Sequence, residues 1–256
     1  MMARISVIRS GQVLMSRQGA EEAELLFTEE WQQGDTILFE SDTEYNVIQV
    51  DQAVLPARVY LPGKRMTYRL PLKGDDPDVY PPFAFKGKAH LIRMRPDPCR
   101  EYRNLAENPA DQRGDTDAFP HATANIETRN ESVFCARNVI DGLHISSGHG
   151  YWPYQSWGVE TEGDPRLTVD FGREVEIDRV VLYLRSDFPH DAWWDKAVLT
   201  FSDGESVNIY PEGKEGAQVF PVGTRRIKWV RLEGLRKSSD PSPFPALRQM
   251  EVYGRD

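Results

Sequence analysis

The sequence has little cysteine, no excess of basic residues and no long apolar run, and each shortage excludes a class of protein. Its two cysteines, Cys99 and Cys135, are too few for a disulfide framework and offer no zinc-ligand spacing. With 40 acidic against 31 basic side chains, the net charge of -9 disfavours nucleic acid and anionic membrane surfaces as partners. No run approaches the roughly 20 apolar residues of a membrane span, so we expect no membrane insertion.

The sequence also lacks the signals of targeting and of several catalytic classes. The segment Met1–Ser10 does not have the basic-then-apolar order of a signal peptide, so we expect a cytoplasmic protein as the sequence stands, or a secreted one if a leader is missing. The sequence contains no Gly-x-Ser-x-Gly elbow, no phosphate-cradling glycine loop and no His-Glu-x-x-His metal motif. These absences favour a binding protein over an enzyme.

Short apolar runs with a period of two are what the sequence does contain, and Gly, Pro, Asp and Asn separate them. This pattern is typical of half-buried strands and predicts an all-β chain of two tandem β-sandwich domains of the jelly-roll type. The predicted strands are Ile5–Ile8, Thr36–Glu40, Tyr45–Val50, Ala57–Leu61, Thr67–Leu70, Ala89–Met94, Arg166–Phe171, Asp178–Leu184, Ala197–Ser202, Ser206–Ile209, Ala217–Phe220, Ile227–Leu232 and Ala246–Tyr253. The Glu-rich segment Ala20–Gln33 fits a helix or a long edge strand equally well.

A connector rich in Pro, Asn, Asp and Gly runs from Arg95 to Thr116, between the two sets of strands. Its end predicts a domain boundary, with residues 1–115 forming an N-terminal β-sandwich with connector and residues 116–256 a second domain. At 256 residues the chain has the length of two ordinary domains.

The second half carries motifs whose order is informative. Ala136-Arg137-Asn138-Val139-Ile140-Asp141-Gly142 forms a predicted turn, Leu167–Gly172 follows, and Glu251-Val252-Tyr253-Gly254 ends the last strand. In this order they resemble the discoidin, or coagulation factor 5/8 type C, family of galactose-binding-like domains, which includes many carbohydrate-binding modules. The resemblance covers about residues 118–254. It implies a protein that binds a carbohydrate at loops at one end of the C-terminal β-sandwich, without catalysis.

The same resemblance implies a structural Ca²⁺ ion that joins the Asp-Gly turn to the last strand. The implied ligands are the Asp141 side chain, the Asn138 carbonyl, Ser146 in the following loop, the Met250 carbonyl and the Glu251 side chain. Alternatively, Asp141 caps its own backbone in an Asx turn. The loop after Gly142 is longer than the family's usual spacing, which places the loop ligand in doubt.

Two loops concentrate residues suited to a sugar, which needs an aromatic platform and directional hydrogen bonds. The predicted ligand-binding residues are Arg185, Asp187, His190, Trp193, Trp152 and His149. Several aromatics in these loops have an alternative role in the core, namely Trp157, Trp194 and Phe188. Arg185 and Asp187 have one as well, since an ion pair between them would hold the loop together.

Two other functions stay open from the sequence. A carbohydrate-active hydrolase would use Asp187 with His190 as an oriented base, and it would need a second carboxylate across the scissile bond. A protein-interaction module, with a protein partner in place of a sugar, would instead display a broad exposed apolar patch.

Overall fold

The computed structural model describes residues 2–74, 76–146, 148–159, 163–186 and 192–256, and these form an all-β protein, as predicted. The strands are β1 Ala3–Arg9, β2 Gln12–Gly19, β3 Ala23–Phe27, β4 Thr36–Ser41, β5 Tyr45–Gln49, β6 Ala57–Tyr60, β7 Arg65–Arg69, β8 His90–Pro96, β9 Arg103–Asn104, β10 His121–Ala124, β11 Trp157–Gly158, β12 Leu167–Arg185, β13 Trp194–Phe201, β14 Ser206–Ile209, β15 Gln218–Lys237 and β16 Ala246–Arg255. The helical segments in this part of the chain are 3₁₀ turns, at Asp76–Val79, Thr128–Asn130, Ser132–Phe134 and Ala136–Ile140. None of its helices is long and apolar enough to span a membrane.

The chain divides into two compact units whose segments alternate around the connector. The first unit is Met1–Cys99 with Asn108–Phe119, and the second is Arg100–Glu107 with Pro120–Asp256. The connector predicted to end at Thr116 is therefore shared between both units.

In the first unit, two four-stranded antiparallel sheets have the strand orders β2-β1-β4-β7 and β3-β8-β5-β6. Strand β3 lies inside the segment that fitted a helix or a strand. There Ala23, Leu25 and Phe27 are buried while Glu24 and Leu26 are exposed. This alternation is the period of a strand with one buried face, and it explains why the segment is extended.

In the second unit, an antiparallel sheet follows the order β11-β16-β12-β15-β13-β14, and β10 and β9 join it beside β12 and β16. Its longest strands, β12 and β15, pair along most of their length with register shifts near Asp170 and Ile177. Strand β9 joins the sheet, and directly after it the Leu105 amide donates to the Val252 carbonyl at 2.7 Å. This pairing anchors the middle part of the connector, Arg100–Glu107, in the second unit.

The loops that carry the candidate site leave the sheet of the second unit at two places. The three consecutive 3₁₀ turns follow β10, and the segment before β16 leads into a last strand that is buried on both faces. The core between them contains Trp157 and Trp194, whose rings are 5.8 Å apart. The Trp157 indole donates to the Ile126 carbonyl at 2.9 Å, which satisfies its polar group inside the core. The alternative core role for these two tryptophans is confirmed.

Candidate functional site

The Asp-Gly turn lies directly after the 3₁₀ turn Ala136–Ile140, and Asp141 is buried there. Its Oδ1 accepts from the Leu143 amide at 2.9 Å and from Gln249 Nε2 at 2.6 Å, and its Oδ2 accepts from Gln155 Nε2 at 2.9 Å. Burial raises the pKa of the Asp141 carboxyl, although the charge of Arg137 and these hydrogen bonds lower it. The Leu143 bond is the Asx-turn contact that the sequence left as an alternative.

The side chain of Gln249 occupies the centre of this turn. Its Nε2 lies 2.7 Å from the Asn138 carbonyl, 2.6 Å from Asp141 Oδ1 and 2.9 Å from the Arg248 carbonyl. Its Oε1 accepts from the Gly142 amide at 3.1 Å. The reverse orientation of the amide would place an oxygen against three oxygens, so the nitrogen must face them.

The other residues implied as calcium ligands are engaged elsewhere. Glu251 Oε1 accepts from His144 Nε2 at 2.9 Å, and Ser146 Oγ accepts from the Gly148 amide at 3.3 Å. Met250 lies within β16, where it pairs with Leu182 of β12. Asn138 and Asp141 do come together as the resemblance implies, but around an amide nitrogen. The residues of this turn therefore do not fit a calcium ion.

The contact between His144 and Glu251 gives a testable pH dependence. Its hydrogen bond raises the pKa of His144 above the usual 6.5, whereas partial burial lowers it. A raised folded-state pKa means that the contribution to stability is full below the unfolded pKa and is lost as pH rises through the folded one. We expect His144→Gln to lower the melting temperature at about pH 5.5 and to leave it nearly unchanged at about pH 9. An equal loss at both pH values would contradict this.

Arg185, the predicted polar contact for a ligand, is completely buried at the end of β12, with 0% of its surface exposed. Its Nη1 donates to the Tyr154 carbonyl at 2.8 Å, and its guanidinium lies 5.8 Å from the centre of the Tyr154 ring. Its Nη2 is 3.4 Å from Nδ1 of His149. The structure thus brings two predicted site residues together, with Arg185 beneath and His149 exposed.

The two predicted aromatic platforms are partly buried. The Trp193 ring covers Gly213, where a Cβ atom would come within 2.7 Å of the indole, and it also packs against the core. Trp152 is half-buried and precedes Pro153 through a cis peptide bond. Asp187 and His190 lie outside the described residues, as does Phe188.

A cavity of about 350 Å³ opens in the second unit beside His149. It is lined by Thr128, Arg129, Phe134, His149, Gly158, Pro243, Phe244, Pro245 and Ala246. Phe244 is 42% exposed, so part of its ring faces solvent. Of the residues predicted from the sequence, His149 is the one that lines this cavity.

The charged side chain of Arg129 also lines the cavity and is held by neighbouring groups. Arg129 has a positive φ of 51°, and its guanidinium lies 5.3 Å from the centre of the Phe134 ring. Its guanidinium makes two hydrogen bonds to Glu131, of 2.6 and 2.7 Å. This paired geometry fixes the guanidinium and neutralises its charge, so it presents directional N–H groups without a net positive field.

One signal for this cavity is visible in the sequence. Phe244 stands between two prolines, in Pro243-Phe244-Pro245. Each proline fixes its own φ, and the second one also disfavours the α region for Phe244, so the backbone that carries this ring is restricted. Phe134 and Arg129 had no comparable signal, since their approach to Phe244 depends on the fold.

No family model matches the chain, and no curated protein matches it. Among solved structures, chitosan-binding module 1 of a chitosanase/glucanase from Paenibacillus sp. IK-5 is 22% identical, with 59% of this chain and 99% of the module covered and a TM-score of 0.42. The family 32 carbohydrate-binding module of Clostridium perfringens NanJ, solved with galactose, is 13% identical, with 52% and 91% covered and a TM-score of 0.40.

A fucose-binding module of Streptococcus pneumoniae is 14% identical, with 60% of this chain and 99% of the module covered and a TM-score of 0.41. These solved structures are carbohydrate-binding modules, the type of domain that the sequence resemblance indicates. At such identities and TM-scores the likeness carries no argument about what this chain binds.

Proposed function

We propose that the second unit binds a carbohydrate in the cavity beside Phe244 and leaves it chemically unchanged. The observation that carries this proposal is the lining of that cavity, which combines aromatic faces with fixed polar groups. A sugar ring presents an apolar C–H face and a rim of hydroxyls, so it needs both kinds of surface.

The aromatic part of the site is Phe244 with Phe134. Phe244 offers an exposed ring as a platform, and the prolines on either side reduce the entropy lost when a ligand orders it. Phe134 lies under the guanidinium of Arg129 and forms a wall of the cavity. A volume of about 350 Å³ lies at the small end of ligand sites, which favours the terminal sugar of a glycan over a long chain.

The polar part of the site is Arg129, Thr128 and His149. Their N–H and hydroxyl groups can bond to sugar hydroxyls, and Arg129 is already oriented by Glu131. Arg185 supports this set from beneath, because it holds the loop of Tyr154 and lies beside His149. We assign Arg185 a positioning role, which explains why a charged residue is completely buried there.

Hydrolysis is less well supported by this cavity. A glycosidase needs two carboxylates that flank the scissile bond, and none of the nine described residues lining the cavity is Asp or Glu. Screening the intact protein on a glycan array, followed by product analysis of any glycan bound, tests the proposal. Binding without turnover supports it, turnover refutes its non-catalytic part, and capture of no glycan refutes sugar binding.

Phe244→Ala is expected to weaken binding of any glycan found in this way by about fivefold, because stacking on an aromatic ring contributes on the order of 1 kcal/mol. Phe83→Ala is the matched control, since Phe83 lies in the first unit and is 66% exposed. Titration calorimetry on both variants measures the effect. Unchanged affinity in Phe244→Ala would place the sugar elsewhere.

A further inference from the structure

The link between the Asp-Gly turn and the last strand is made by one side chain. Gln249 is 2% exposed, and both polar atoms of its amide are used. Its nitrogen faces three oxygens, those of Asn138, Asp141 and Arg248, and its oxygen accepts from the Gly142 amide. One amide therefore contacts both sides of the junction.

The geometry around Nε2 is that of a small cation site. Three oxygens, one of them from a carboxylate, converge on a single atom at 2.6, 2.7 and 2.9 Å. An amide nitrogen carries only two protons, so three acceptors share two donors. A cation at this point could bind all of these oxygen acceptors, since Ca²⁺ takes six to eight oxygen ligands.

The negative charge around Gln249 Nε2 is too low to favour a metal ion. Asp141 is the carboxylate that reaches it, and the second oxygen of Asp141 is occupied by Gln155. The nearby carboxylate of Glu251 accepts from His144 instead. Calcium affinity depends on the number of charged ligands, and the amide of Gln249 is neutral.

We infer that Gln249 replaces a cation in this protein, so that its amide joins the Asp-Gly turn to the last strand and the fold needs no calcium. This inference is independent of sugar binding, because it concerns a junction that does not line the cavity. It also identifies position 249 as the residue that decides between an amide link and a metal link, since a carboxylate there would add the missing charge.

The test measures melting temperature in excess EDTA and in millimolar calcium, together with calcium titration by calorimetry. We expect the natural protein to melt at the same temperature in both solutions and to bind no calcium. Gln249→Glu should melt at a lower temperature in EDTA, because it places a second carboxylate beside Asp141. At about 100 times its dissociation constant, calcium should then raise the melting temperature of this variant by roughly 5–10 °C.

Gln218→Glu is the matched control. Gln218 is 5% exposed, and its amide likewise bonds to main-chain groups, donating to the Glu212 carbonyl at 2.8 Å and accepting from the Glu212 amide at 2.8 Å. Neither of these contacts is made by a carboxylate, so its variant should lose stability without any response to calcium. A calcium response in this control that equals that of Gln249→Glu would overturn the assignment to position 249.

Two further results would overturn the inference. A lower melting temperature of the natural protein in EDTA, or calcium binding by it, would show that Gln249 does not replace the ion. Gln249→Met, which keeps the approximate volume but cannot donate, serves if Gln249→Glu does not fold. It should melt at a lower temperature that calcium does not restore, and an unchanged melting temperature would show that the amide link contributes nothing.

Discussion

Replacing Arg185 by alanine is expected to lower the free energy of unfolding of the second unit by about 3 kcal/mol, a large effect for one substitution. Arg185 is completely buried, so its loss leaves the Tyr154 carbonyl without its charged donor and removes the packing of the guanidinium over the Tyr154 ring. Bonds to charged groups contribute more than neutral ones, and a buried acceptor left alone adds a desolvation cost. Chemical denaturation monitored by tryptophan fluorescence measures the change.

Arg226→Ala is the matched control for Arg185→Ala. Arg226 lies on β15 with a side chain that is 71% exposed, and its contacts with Glu174 and Glu176 are no shorter than 3.7 Å. Loss of such a side chain changes stability by at most about 0.5 kcal/mol. If Arg185→Ala melts like the natural protein but no longer binds sugar, Arg185 contacts the ligand directly, as the sequence predicted, and the positioning role is wrong.

Asp141→Ala is expected to destabilise the second unit by about 3 kcal/mol, with or without calcium. The carboxylate accepts from Leu143, Gln155 and Gln249, so its removal leaves the donors of Leu143 and Gln155 without this acceptor, while Gln249 keeps its two carbonyl acceptors. Each such donor costs about 1–3 kcal/mol, and relief of the desolvated carboxylate offsets part of the sum. Thermal melts in EDTA and in calcium measure both the loss and its independence of metal.

Asp164→Ala provides the comparison for Asp141→Ala, because Asp164 has a side chain that is 63% exposed and is paired with an exposed Arg166. An exposed pair contributes at most about 1 kcal/mol, so this variant should melt almost normally. A loss in Asp141→Ala that appears only in the presence of calcium would mean that the carboxylate holds an ion.

Much of the fold could be predicted from local pattern alone. The period of two along β3, with Ala23, Leu25 and Phe27 buried, specifies a half-buried strand wherever it is placed. Asp141 followed by Gly142 specifies a turn, since Gly142 has a φ of +81° that few other residues adopt. The core role of Trp157, which is completely buried, was expected from the family resemblance and not from local pattern.

The candidate site was much less predictable, because its members are distant in sequence. Phe134 and Phe244 line one cavity although 110 positions separate them, and Asp141 and Gln249 share a hydrogen bond although they are 108 positions apart. Composition identified aromatic and charged loops, yet it could not say which side chains would be buried. Arg185 fits a ligand contact by residue type, but its position at the end of a core strand makes it internal.

The sequence by itself determined what each short segment does, because strand period, turn chemistry and net charge depend on neighbours along the chain. It determined an all-β chain and an Asp-Gly turn. Only the tertiary structure decided which groups meet. In the folded chain, β16 lies against the Asp-Gly turn. Gln249 is therefore placed among three oxygens, and Phe244 lines one cavity with Phe134. Such contacts depend on the pairing of remote strands, which no local pattern encodes.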